Sequence, residues 1–245
     1  MENANGQQEP VVAEMSLLAK LSQIFTNPSK VFQHIDSYLD WLVPILIIIV
    51  FAIGRNLIMY DLEITATKEK IAQNEKIPDQ QKTEILAKID EEANDPAQTY
   101  KQIGYAIVFT FLFAFVVAGL YLLTGNVILG GKATYSKILG VYALGALVFI
   151  PEQIVKVPLA LAKGSKYVYT SLAILFDQSQ SQTLLFQLAN AIDIFSIWRV
   201  SLWAIGFSVV YKFSLGKSYT AIVIWYVIGI FILYGLNLLT GGMLT

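Results

Sequence analysis

The chain contains no cysteine, and its one histidine is His34. Disulfide and thiol chemistry are excluded, and cysteine usage says nothing about redox compartment. A lone histidine without cysteine cannot furnish a common zinc site; carboxylate-only sites stay open, and no metal site is assigned. Charge is scarce as well. Lys and Arg total 17 and Asp and Glu 18 among 245 residues, 14% of the chain, where a soluble domain carries about 25%. The net charge of −1 gives no drive toward nucleic acid. Catalytic signatures are missing too: there is no HExxH helix, nucleophile elbow or DxDxDG calcium loop. The string SLGKSYT ends like a phosphate loop, but Tyr211 stands where its first glycine belongs. Gly216 is expected to end one helix and Ser218 to cap the next. No enzyme activity and no cofactor are expected.

What the chain has is apolar length. It is 56% hydrophobic, with a mean hydropathy of +0.58. A bilayer core needs about 20 apolar residues in a helix. Five stretches meet that need: 39–60, 103–129, 135–161, 194–213 and 218–239. The fold class expected is all-α, a polytopic membrane bundle of five transmembrane helices with amphipathic interfacial helices and a polar helical insert. An odd number of spans puts the termini on opposite sides. The connections at 130–137 and 212–217 carry Lys132, Lys137, Lys212 and Lys217 and no acid. By the positive-inside rule this places the N-terminus in the cytoplasm.

Outside the spans the segments differ. Residues 1–13 are polar and expected to be disordered. In 14–38, Leu17, Leu18, Leu21, Ile24 and Phe25 recur at helical spacing, opposite Lys20, Ser22 and Gln23. Asn27-Pro28 restarts the helix, and Val31, Phe32 and Ile35 continue the stripe. Such a helix lies in the membrane interface or packs on the bundle; the pattern allows both. The insert 61–95 predicts a helical hairpin in water, its second helix opened by Pro78 and supported by a Glu84–Lys88 pair. Asp95-Pro96 caps the second span. Asp177 is expected to cap a second interfacial helix over 178–192, with Leu184, Leu185 and Leu188 on its apolar face.

Intramembrane charges are costly and often functional. Arg55 lies about 24 Å into the first span, Glu152 about 25 Å into the third from the same side, and Arg199 about 8 Å into the fourth from the other side. All three fall in one layer, with Lys156 a turn beyond Glu152 and Asp193 at the mouth of the fourth span. The layer predicts that Arg199 pairs with Glu152 and that Arg55 competes for the same carboxylate. Snorkelling of both arginines to the interface is the alternative. Pro151 is expected to free the Leu147 carbonyl and kink the helix. Small residues at Gly140 and Gly145, or Gly229 and Gly235, permit close helix packing.

The run GGKATYSKILGVYALGALVFIPEQI resembles a segment of the Yip family (Ypt/Rab-interacting membrane proteins), in which a glycine turn leads into a span ending at a proline. DIFSIWRVSLWAIGFSVVYKFSLGKSYTAIVIW is similar to that family's fourth and fifth spans. NPSKVFQHI resembles the helix before the first span in prokaryotic members, and the insert near Pro78 is similar to one found there. The likeness covers roughly residues 25–240. It implies a five-span helical fold with a cytoplasmic N-terminus, in a family whose eukaryotic members act in vesicle traffic without known catalysis. The chain lacks the Asp-Leu-Tyr-Gly-Pro motif of the eukaryotic branch, so binding of Rab-type GTPases does not carry over.

Two functions follow as expectations. The first is a non-enzymatic scaffold that organises the membrane or binds a partner. The second is a small-solute or ion transporter using the polar layer at Arg55, Glu152 and Arg199. The partners expected are the lipid bilayer and a protein partner or second copy, with no nucleic acid. The location expected is the plasma membrane of a prokaryote.

Overall fold

The structure, a computed structural model, describes residues 15–74, 77–93 and 95–239. The expectation of disorder at 1–13 lies outside the described residues. Ten α-helices follow in order among them: α1 (Leu17–Gln23), α2 (Pro28–Gln33), α3 (Leu39–Gln73), α4 (Asp79–Ala93), α5 (Pro96–Leu123), α6 (Tyr135–Ala146), α7 (Phe149–Lys163), α8 (Leu184–Ala191), α9 (Ile194–Tyr211) and α10 (Leu215–Leu239). Five helical segments are long and apolar enough to cross a membrane, α6 and α7 together making the third. No strand occurs among the described residues, so the chain is an all-α polytopic bundle.

The spans are not equivalent. Of the most apolar stretch, 56% is buried in the third span and 44% in the fourth, against 22% or less in the others. The third and fourth are therefore the inner helices. Helix α6 packs on α3, α5 and α9, while α9 also carries α2 and α10. Apolar burial drives no association between helices in lipid, so close fit must. Trp203 stacks on Tyr142 at 5.3 Å and donates its indole N–H to the Tyr142 carbonyl at 3.0 Å. Phe207, Leu139 and Ile138 fill the same core.

The third span is broken. Leu147 and Val148 donate to carbonyls only three residues back, Leu144 and Gly145, and a new helix starts at Phe149. Pro151 sits in the first turn of that helix, where a missing N–H is tolerated. The expected free carbonyl at Leu147 is not left open, because it accepts from the Ile150 N–H at 3.0 Å. The break thus falls just ahead of Pro151. Pro158 lies inside α7 as well.

Other boundaries also depart from expectation. The first span runs on without a stop to Gln73, so the hairpin's first arm is the extension of α3 itself. Lys68 and Asp90 tie the two arms. Lys88 pairs with Glu92 rather than Glu84. Asp95 does cap α5, accepting the Ala97 N–H at 2.9 Å. The fourth span ends at Lys212, held in the left-handed region at φ 56°. Gly216 and Ser218 both lie inside α10, and Ser218 is buried. Thr183, not Asp177, caps the helix over 184–191 through the Phe186 N–H.

Of the two alternatives for 14–38, the contacts are those of packing on the bundle. Ile24, Val31, Phe32 and Ile35 join a core with Val141, Leu144 and Leu202. Phe25 meets Trp198 edge-on at 5.3 Å, while Phe32 faces Gly206. Those α9 positions are eight residues apart, so the segment follows that helix over about 12 Å. Leu17 and Leu21 are half-buried, and Leu18 points outward at 79% exposed. Lys20, on the polar side of the pattern, is in fact buried, its ammonium 2.7 Å from buried Asp40 and 3.4 Å from Asp36.

Candidate functional site

Local sequence places the charges before packing joins them. Glu152 and Lys156 stand one turn apart on α7, on the same face. The glutamate occupies the first turn, where the helix dipole favours an anion. Asp193 caps α9, accepting the Phe195 N–H at 2.8 Å. Arg199 follows in the same helix. Because α9 is an inner span, its polar face turns toward protein rather than lipid.

Packing then builds one network. Lys156 lies 2.7 Å from Glu152 and 3.4 Å from Asp193, bridging the two acids. Arg199 approaches the other oxygen of Glu152 at 3.5 Å and donates to the Ser196 hydroxyl at 3.5 Å. Its guanidinium also sits 6.0 Å from the Trp203 ring, within cation–π range. Asp193 is nearly closed off at 3% exposed. It takes the Thr170 hydroxyl as a further donor, and Ser171 pairs with it as an isolated bridge. The loop after α7 is thereby stitched to the mouth of α9.

Burial pushes the Asp193 carboxyl up, but the Thr170 hydroxyl, the Lys156 charge and the Phe195 N–H outweigh it. The net result is a value below the ordinary 3.8. The folded chain therefore favours ionised Asp193. That contribution is present above pH 3.8 and is lost as pH falls through the lower folded value. In the same loop, burial and then the charges of Glu69 and Glu63 push the Tyr167 phenol up.

Arg55 does not compete for Glu152. Its guanidinium pairs with Glu63, two turns further along α3, at 2.9 Å. Lys166 approaches the other oxygen of Glu63 at 3.4 Å. The reason is the unbroken α3, which carries its own carboxylate past Arg55 and within closer reach. Gly164 matters here. It ends α7 at φ 63°, and Ser165 donates back to the Ala160 carbonyl, a reversal that returns Lys166 toward α3. Between these groups lies an open cavity of about 220 Å³, lined by Arg55, Glu152, Gln153, Lys156 and Lys166.

Glu63, Lys166 and Thr170 were not singled out by sequence. The one available signal was Gly164, a helix stop between the two lysines at 163 and 166. Among the described residues no group of His, Asp or Glu is placed to hold a metal ion. What the arrangement offers chemically is fixed charge at one end of the inner spans, and a cavity between them and α3.

A family model described as the Yip1 domain matches residues 22–236. No curated protein and no solved structure matches the chain.

Proposed function

The chain belongs to the Yip1-domain family, and on that premise we propose a membrane-organising scaffold that holds a protein partner and carries out no chemistry of its own. The observation that carries this is α4. It is a 15-residue helix with no buried residue, so the bundle does not need it for its core. It stands on the extended α3 through the Lys68–Asp90 pair. Its narrow stripe of Ile85, Leu86 and Ile89 is only half-covered. On the same side of the bundle, Ile174, Leu175 and Leu185 are 63–78% exposed outside any span. That is the surface expected of a segment resting in the bilayer interface. The N-terminus is placed in the cytoplasm, which Lys132, Lys137, Lys212 and Lys217 on its side of the bundle support, and the cell is read as prokaryotic on the likeness of NPSKVFQHI.

Photo-crosslinking in native membranes tests the scaffold role, with probes at Lys88 on α4, Leu18 on α1 and Val108 on the exposed face of α5. One dominant protein adduct at Lys88, with only lipid at Val108, is expected. Lipid adducts alone at Lys88 would overturn partner binding.

Small-solute or ion transport is the alternative, with the cavity beside Glu152 in its favour. Against it, Glu152 has cations at 2.7 and 3.5 Å and Asp193 has one at 3.4 Å. Acids covered by cations in this way also serve as glue between helices. A proteoliposome flux that Glu152→Gln abolishes would replace the scaffold role with transport.

A further inference from the structure

The charges around the cavity do not balance. Among the described residues, its ion pairs join four cations, Arg55, Lys156, Lys166 and Arg199, to three acids, Glu63, Glu152 and Asp193. One positive charge is left over where water is partly excluded. The side chains of Lys166 and Lys156 are only 20% and 25% exposed. Glu69, whose charge reaches Tyr167, faces solvent and does not enter the cavity lining. An uncompensated charge of this kind is costly unless an anion joins it.

Shape narrows the anion. The cavity, about 220 Å³, is smaller than the roughly 300–1,000 Å³ of sites for drug-sized ligands. It suits a single small group. One guanidinium fork and two ammonium groups converge on it, the donor set that matches tetrahedral phosphate oxygens. Gln153 adds a neutral amide. The rest of the lining is apolar: Met59, Val157, Ala160 and Val168. An acyl chain would find its own kind of surface beside the charged groups.

We propose that the cavity between α3, α7 and the loop after Gly164 binds a phosphate group, held by Arg55, Lys156 and Lys166, with a phospholipid headgroup as its source. Glu152 stands at the inner wall and limits how much negative charge enters. The site is separate from α4, so its loss would leave the Lys88 crosslink untouched.

The test uses the full chain in mild detergent. Thermal unfolding and binding are followed on adding short-chain phosphatidylglycerol, a short-chain diacylglycerol without phosphate, or inorganic phosphate. Stabilisation by the phospholipid but not by the diacylglycerol is expected, and equal stabilisation by inorganic phosphate would assign the site to a free anion. Lys166→Gln should weaken binding about tenfold, the loss of one hydrogen bond to a charged group. Glu152→Gln should strengthen it, since it removes the one acid in the lining. The opposite directions separate binding from simple damage to the fold. No stabilisation by either phosphate source, or both variants weakening binding alike, would overturn the proposal. Should Lys166→Gln fail to fold, phosphorus NMR of the wild-type chain still decides. A bound phosphate signal displaced by neither phosphate nor phospholipid would also overturn it.

Discussion

Lys20 shows how far a single residue can depart from its pattern. By periodicity it belongs to the wet side of α1, with Ser22 and Gln23. In the fold its side chain is 5% exposed and its partner Asp40 is 2% exposed. Asp40 is held from the other side by the backbone N–H groups of Asp36 and Ser37, both at 3.0 Å. The pair therefore pins the segment before the first span to the head of α3. Removing one member of a buried pair strands the other charge. Lys20→Met is expected to destabilise the chain by roughly 3–5 kcal/mol. Lys30→Met, at an exposed position, should change little. Thermal unfolding of both variants in the same detergent checks this, and equal midpoints would refute the clasp.

Among the helices, small residues mark where two elements touch. A Cβ on Gly206 would lie 2.6 Å from a Val141 methyl and 3.0 Å from the Phe32 ring. Both neighbours are buried, so α2, α6 and α9 would have to move apart. Gly206→Ala should cost about 1–3 kcal/mol, the range for overpacking a filled core. The glycines singled out by spacing divide into two kinds. Gly140 and Gly145 meet Ile35 and Trp203 closely, whereas Gly229 and Gly235 meet nothing within 4 Å among the described residues. Gly229→Ala should therefore be neutral, or stabilising by up to about 1 kcal/mol from helix propensity. Unfolding midpoints compare the two classes directly. A loss at Gly229 equal to that at Gly206 would show that α10 has a neighbour outside the chain.

For the whole molecule, five spans fix the sidedness of every connection. The natural absence of cysteine makes this easy to read. Single cysteines at Lys132 and Ser214 mark the connections between α5 and α6 and between α9 and α10. Cysteines at Thr83 and Ser179 mark α4 and the loop before α8. All four positions are exposed. An impermeant maleimide added to intact cells should label Thr83→Cys and Ser179→Cys and spare the other two. Labelling within either pair from opposite sides would break the five-span arrangement. The reverse pattern would keep it and invert the orientation.

What depends on local composition was legible from the residues alone. Five apolar runs of membrane length fixed the number of spans, and the Yip1-type order of motifs fixed the family. Asp95 could be read as a cap because a cap bonds to backbone within its own turn, whereas Asp193 was placed only at the mouth of its span. Glu152 and Lys156 could be read as neighbours because four residues make one helical turn. The tertiary structure decided which charge meets which and which face is covered. Arg55 could reach Glu63 only because α3 continues as an unbroken helix to Gln73. Lys166 returned to the cavity only through the reversal at Gly164. Periodicity sorted 14–38 into two faces, but it held no information about α9, and contact with α9 put Phe32 in the core. The polar side of a helix is solvated only where the fold leaves water beside it, and at Lys20 the head of α3 took that place.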